Sequence, residues 1–248
     1  MKRWIGVGLL IAALSLAGCS SLEMEESKRQ LELPMDSIEA LDIQTESGDL
    51  IVKGDEKATS IKVEATIKKS KSVPDEDITV TLEKDGNTAK LVSKTKGGFG
   101  VRITDITLNV TIPAKLNVDV NDGSGDMDIS NLAGGLTIED DSGDIKINDV
   151  SGEVVINDGS GDIKIKNASA LKQINDESGD IFLENTGGNV DIQDDSGDIV
   201  IRNHTGDITI SDGSGDMVID TIQGNVTITE DGSGDRMVKN VSGSFIAN

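Results

Sequence analysis

Apolar residues in the second half of the chain alternate with polar ones in short runs that recur at a fixed spacing. One set of runs holds Ile145 and Ile147, Ile163 and Ile165, Ile181 and Leu183, Ile199 and Ile201, and Met217 and Ile219. A second set holds Leu136 and Ile138, Val154 and Ile156, Val190 and Ile192, Ile208 and Ile210, and Val226 and Ile228. Period-two alternation puts one side of a strand in a core and the other in water, so each run predicts a β-strand. Between the runs the tripeptide Ser-Gly-Asp returns at Ser124, Ser142, Ser160, Ser178, Ser196, Ser214 and Ser233; the first six copies are 18 residues apart and the last is 19 away. A repeat this short cannot bury its own apolar face and must stack on its neighbours. Two strands and two turns make one coil. One turn is Asp-x-Ser-Gly-Asp, and the other begins at Asn131, Asn167, Asn185, Asn203 or Asn240. These are residue types that bond their own backbone or accept a positive φ. Equivalent strands of successive coils should pair in parallel and in register about 4.8 Å apart. The predicted class is all-β: a parallel β-solenoid, a flattened β-helix or β-roll of about seven 18-residue coils with an aliphatic interior.

Two positions break the pattern. Lys172 falls in an inward column otherwise held by Leu136, Val154, Val190, Ile208 and Val226. Burying an unpaired ammonium is costly, so the local backbone should shift to let Leu171 face inward or let Lys172 snorkel out. Arg236 stands where Ile or Met is expected, and with the extra residue near Glu230 it should mark a C-terminal cap.

Residues 37–121 are rich in strands without a regular period. Alternating runs lie at 38–43, 50–52, 61–67, 78–82, 89–93, 106–112 and 116–120, and Pro74, Asp85-Gly86-Asn87 and Gly97-Gly98 mark turns. Ser47-Gly48-Asp49 is an isolated early copy of the repeat turn. This stretch is expected to be an irregular β cap continuous with the solenoid of residues 122–248, because an open terminal coil exposes strand edges and apolar interior.

At the start of the chain Lys2 and Arg3 precede an apolar run from Trp4 to Leu14, followed by Leu16-Ala17-Gly18-Cys19. The run is too short for a permanent spanning helix, and the tetrapeptide resembles a bacterial lipobox. Residues 1–18 then form a lipoprotein signal peptide, and Cys19 becomes the acylated first residue of the mature chain, anchoring it in a lipid bilayer. Cys19 is the only Cys, which leaves no thiol for a disulfide or a Cys metal site. The polar residues 19–36 are expected to be a flexible tether. The protein is placed outside the cytoplasm, on the outer membrane or on the outer leaflet of the plasma membrane.

The formal charge of −22 sits almost wholly on the repeats: residues 122–235 carry 26 acidic and 5 basic side chains. Nucleic acid or an anionic lipid surface would be repelled by that face, while cations and cationic polymers would not. Aromatic residues are 2% and Tyr is absent, so the core must be stacked Ile, Val and Leu.

The lipobox, the polar tether, the irregular strands ending in Ile112-Pro113 and the Ser-Gly-Asp-Ile repeats together resemble the bacterial putative-adhesin family, over roughly residues 37–248. The resemblance implies an extracytoplasmic β-solenoid, in some members linked to envelope stress, and brings no catalytic residues.

The candidate sites are ladders. Asp126, Asp144, Asp162, Asp180, Asp198 and Asp216, with Asp235, form one; Asp122, Asp140, Asp158, Asp176, Asp194, Asp212 and Asp231 form another. Stacked carboxylates repel, by about 3.5 kcal/mol per pair at a spacing of about 4.8 Å and an effective dielectric of about 20. Backbone N–H groups, Ser hydroxyls and diffuse counterions are one remedy. Bound Ca²⁺ is the other, and the Asp126–Asp216 ladder is the candidate cation site. The Ca²⁺-binding nonapeptide roll is similar in its Gly-rich turn, but here Asp follows Gly directly. His204, the only His, shares a column with Leu132, Val150 and Ile222, which favours packing over catalysis, and no second base completes a nucleophilic constellation. Repeated carboxylates also share one environment, whereas a glycoside hydrolase needs two that differ. The sequence therefore reads as a non-enzymatic envelope lipoprotein: an adhesive, scaffolding or stress-linked interaction module without a cofactor, whose envelope or extracellular partner is not named by the residues. The alternatives are a Ca²⁺-binding structural β-roll and, behind it, a carbohydrate-active β-helix enzyme.

Overall fold

A computed structural model describes residues 23–98 and 102–247; the expected signal peptide, residues 1–18, and Cys19 lie outside these residues. The described residues hold twenty strands. The first seven are β1 (Met24–Pro34), β2 (Ala40–Thr45), β3 (Leu50–Asp55), β4 (Ser60–Ser70), β5 (Ile78–Asp85), β6 (Thr88–Thr95) and β7 (Thr104–Pro113). Then come β8 (Asn117–Asp122), β9 (Met127–Leu132), β10 (Leu136–Asp140), β11 (Ile145–Asp158), β12 (Ile163–Asp176), β13 (Ile181–Gly187) and β14 (Val190–Asp194). The chain closes with β15 (Ile199–Thr205), β16 (Ile208–Asp212), β17 (Met217–Gln223), β18 (Val226–Asp231), β19 (Arg236–Val241) and β20 (Phe245–Ala247).

The alternation dictates a two-faced stack. On the first face β2, β8, β10, the second half of β11, the second half of β12, β14, β16, β18 and β20 follow one another in parallel. On the second face the order is β3, β9, the first half of β11, the first half of β12, β13, β15, β17 and β19, also parallel. Equivalent residues of successive repeats face each other, as in Ile145↔Ile163 and Ile163↔Ile181. The turns join the ladder as well: Gly143 N–H donates to the Ser160 carbonyl at 2.9 Å, and Ile145 N–H to that of Asp162 at 2.9 Å. Both apolar sets of the repeat are fully buried and merge into one core that also includes Leu41, Val52, Leu91 and Leu108.

The early Ser-Gly-Asp is a true repeat turn. β2 and β3 form a coil in register with β8 and β9, pairing Thr45↔Asp122 and Leu50↔Met127. Residues 56–116 then leave the stack and return under its N-terminal end. There β6 and β7 pair in parallel with β2 and β3, and antiparallel strands close the faces, β5 on β6 and β4 with β1 on β7. β1 corrects the expected tether. Residues 24–34 pair with β4 along their whole length, Met24↔Ser70 to Pro34↔Ser60. Their polar composition fits an outermost edge strand, which needs only alternate cover from Leu31 and Leu33 and whose charges discourage further strand addition.

Lys172 behaves as its cost requires. Leu171 pairs with Val154 across a register shift and is 2% exposed, while Lys172 points out to Glu153 at 2.9 Å. The nineteenth residue of the last full repeat is a bulge that pairs Ser211 with Glu230. Arg236, opposite Met217, swings to Asp231 at 2.6 Å. At this end β19 and β20 leave Met237, Phe245 and Ile246 exposed.

Candidate functional site

The two Asp ladders, equivalent in the sequence pattern, take up opposite positions. Asp140 continues the inward alternation of Leu136 and Ile138, and its relatives from Asp122 to Asp212 do the same, whereas Asp231, past the bulge, is half-buried and meets Arg236. Asp122, Asp140, Asp158, Asp176, Asp194 and Asp212 are therefore 0–6% exposed, so the interior is not purely aliphatic. In each of the last five, Oδ1 accepts the N–H of the Ser two residues on, at 3.0–3.2 Å; Asp122 Oδ1 accepts the Thr45 hydroxyl. The second oxygen, Oδ2, is buried with no hydrogen-bond partner in all six. Burial and the repulsion of neighbouring carboxylates push Asp140, Asp176 and Asp194 up to about 7. Burial pushes Asp158 up to about 6 and also raises Asp122 and Asp212.

The expected cation ladder lies on the other side of the turn. Asp126, Asp162, Asp180, Asp198 and Asp216 are exposed and Asp144 is half-buried. Each accepts the backbone N–H of its counterpart in the next coil, from Asp144 N–H to Asp126 at 3.2 Å down to Asp235 N–H to Asp216 at 2.8 Å. The repeat thus spends one carboxylate oxygen per coil on a backbone donor. Among the described residues no group of three or more His, Asp or Glu is placed to hold a metal ion. Beside the inner column runs an open groove lined by Glu139, Asn157, Asn175 and Asp195 and also by Asp140 and Asp158.

The second turn carries a different ladder. Asn131, Asn167, Asn185, Asn203 and Asn240, with Asp149 and Thr221 in the same place, hold φ between 54° and 62°. Asn tolerates this left-handed region better than other L-residues because its side chain bonds locally, and here the amides bond between coils, as Asn203 to Asn185 at 3.2 Å. His204 is 1% exposed. Its Nε2–H donates to the Gly188 carbonyl at 2.8 Å, which leaves Nδ1 to accept the Thr186 hydroxyl at 2.9 Å; burial holds its pKa below the usual value. Both nitrogens are committed, and the Thr186 hydroxyl beside Nδ1 is itself buried at 5% exposure, which fits a packing role.

Sequence reasoning grouped both ladders as one kind of surface charge and missed the buried column. The signal that finds it is the period-two count from Leu136 and Ile138 into the turn.

Parallel coils, stacked turn carboxylates and an antiparallel N-terminal closure define an acidic β-solenoid built from one repeated unit. The profile of the family described as Toastrack DUF4097 matches residues 38–222, and the chain belongs to that family. Among solved structures, a putative adhesin from Bacteroides fragilis is 17% identical with a TM-score of 0.49, covering 89% of this chain and 97% of its own. A putative adhesin from Parabacteroides distasonis is 12% identical with a TM-score of 0.48, covering 89% of this chain and 97% of its own. A putative lipid binding protein from the same organism is 13% identical with a TM-score of 0.30, covering 89% of this chain and 96% of its own. No curated protein matches the chain. No helix of the described residues is long and apolar enough to cross a membrane.

Proposed function

We propose that the protein is a cell-envelope lipoprotein, anchored through acylated Cys19, whose solenoid is a non-enzymatic interaction module for a cationic partner. The observation that carries this reading is the outer ladder from Asp126 to Asp216, which repeats one carboxylate at one position on consecutive coils. A periodic row of like charges at strand spacing suits a polycation, whose charges repeat along a chain, and binding would release counterions from both. The outer carboxylates share one environment, and the inner ones that differ from them are only 0–6% exposed, so the two rows do not present a substrate with the unequal pair that acid–base chemistry needs. The backbone N–H bonds already accepted by this ladder favour a solvated carboxylate row over the Ca²⁺ roll.

Two measurements test it. Labelling cells with a fatty-acid analogue should mark the wild-type chain and not Cys19→Ser, which should leave the membrane fraction; retention of the unlabelled variant in membranes would refute the anchor. The detergent-solubilised protein should bind an oligolysine peptide with an affinity that falls steeply with salt and weakens when Asp144, Asp162 and Asp180 are changed to Asn. Binding that is absent at low salt, or equal in the triple variant, would refute the cationic partner.

A further inference from the structure

The inner column poses a problem that the proposed surface role does not solve. Six carboxylates, each at least 94% buried by exposures of 0–6%, stand one per coil, and every Oδ2 lacks a donor. The column lies on the first face between Thr45 of β2 and Asp231 of β18, pairing in register Asp122↔Asp140↔Asp158 and Asp176↔Asp194↔Asp212. Among the described residues the charges that act on the six rungs are negative, and the cation at the column's end, Arg236, is bonded to Asp231 beyond the last of them. Asp141 acts on Asp122, Asp144 on Asp158, Asp162 on Asp176, Asp180 and Asp195 on Asp194, and Asp198 and Asp231 on Asp212. All are carboxylates. A buried charge without a counter-charge neutralises itself by changing its protonation state, and here a proton also removes the repulsion between rungs.

We propose that the Asp122–Asp212 column is a proton-binding site, in which most rungs are neutral carboxylic acids in the folded solenoid and whose protons are released to water as the external pH rises. The groove bordered by Asp140 and Asp158 is the path by which water reaches the column. The sign follows from linkage. The folded-state pKa values lie above the ordinary Asp value of about 3.9, so the folded chain holds more protons than the unfolded one between about 4 and 7. Stability is fully present below about pH 4 as far as these groups are concerned, and it is lost as pH rises through the folded-state values near 6 to 7. Neighbouring rungs lose protons in turn, which spreads the release over more than one pH unit. Other groups cannot imitate this. Ordinary Asp and Glu are ionised well below pH 6, and His204, whose pKa is lowered, adds stability with rising pH.

The test is thermal unfolding of the full-length protein in detergent, at fixed ionic strength with a chelator present, from pH 5 to pH 9. The melting temperature should fall between pH 6 and pH 8. Asp158→Asn, which keeps the Oδ1 acceptor and removes one titrating rung, should melt above wild type at pH 8 and near it at pH 5, while Asp216→Asn on the outer ladder, outside the set of charges that act on the inner rungs, should leave the slope unchanged. Infrared spectra of the wild type alone should show protonated carboxylic acid at pH 6 that disappears by pH 9, a readout independent of whether any variant folds. A melting temperature that is flat or rising from pH 6 to pH 8, or the absence of the acid band at pH 6, overturns the proposal. So does a Ca²⁺-specific stabilisation at pH 8, measured in a parallel series without chelator, that Asp158→Asn abolishes, which would make the column a metal site.

Discussion

The approach of consecutive turns is tight enough to be broken by one methyl group. Gly161 sits in the middle of the repeat turn at φ 137°, and a Cβ placed there would lie 2.0 Å from the Gly143 carbonyl oxygen of the coil below. Ordinary close C···O contacts are about 3.3 Å, so Ala requires the two turns to part by more than an ångström. The positive φ alone costs an L-residue on the order of 1–3 kcal/mol. Parting the turns also strains the bonds from Gly143 N–H to Ser160 and from Ile145 N–H to Asp162, both 2.9 Å, each worth about 0.5–1.5 kcal/mol net. Gly161→Ala should therefore cost about 4 kcal/mol and lower the melting temperature by on the order of 10 °C. Gly86→Ala is the internal control: Gly86 has φ 61°, but nothing lies within 4 Å of the added methyl, so it should cost only about 1 kcal/mol. Urea unfolding gives both values, and hydrogen exchange at Gly143 and Ile145 reports whether the loss is local to the parted turns. Equal costs for the two substitutions would show that dihedral strain alone governs the turn, and the close coil-to-coil packing argued here would be wrong.

At the second turn, Asn167→Ala should destabilise by about 1–2 kcal/mol, because Ala pays for φ 55° and loses the bond from Nδ2 to Asp149 at 2.9 Å. Asn167→Gly should recover part of that; a Gly variant no better than Ala would show that the amide ladder, not the backbone, sets the cost. His204 is the single imidazole in the chain, so its NMR titration is unambiguous: it should titrate below about 6.5. Its contribution to stability is complete above that value and is lost as pH falls toward its lowered folded-state pKa. A His204 that is charged at neutral pH would contradict the tautomer assigned from Gly188 and Thr186.

How far the chain could be read before its structure depended on which physical signal decided each element. Coil length, strand positions and parallel register followed from period-two columns anchored by a fixed turn, and the Lys172 shift followed from the cost of a buried ammonium. β1 was hidden because an edge strand covered on one side carries little apolar signal: only Leu31 and Leu33 reach the core, and the rest of its sequence resembles a tether. The return of residues 56–116 beneath the first coil was hidden for another reason. Nothing in local pattern says that β6 and β7 stack under β2 and β3, which precede them in the chain.

The division of the two Asp ladders shows how a turn can overrule a count that is otherwise reliable. Asp140 and Asp144 are four residues apart, so unbroken alternation would put them on one side. Asp140 does continue the strand of Leu136 and Ile138, and it points inward. Gly143, at φ 139°, then reverses the chain, and the count restarts from Ile145, which is buried; Asp144, one residue before it, must face out. The same logic explains the second turn, where the positive φ of Asp149 changes the inward spacing from two residues to three, from Ile147 to Val150. One motif, Asp-x-Ser-Gly-Asp, therefore delivers a buried acid and a solvated acid from each of the six coils that start at Asp122 to Asp212, in environments of opposite polarity. Water and the next coil's amide satisfy the outer row, whereas the inner row has only its own Ser N–H and must meet its remaining need with protons. A solenoid assembled from this repeat thereby gains one proton-linked group for each coil added, and its response to pH should scale with its length.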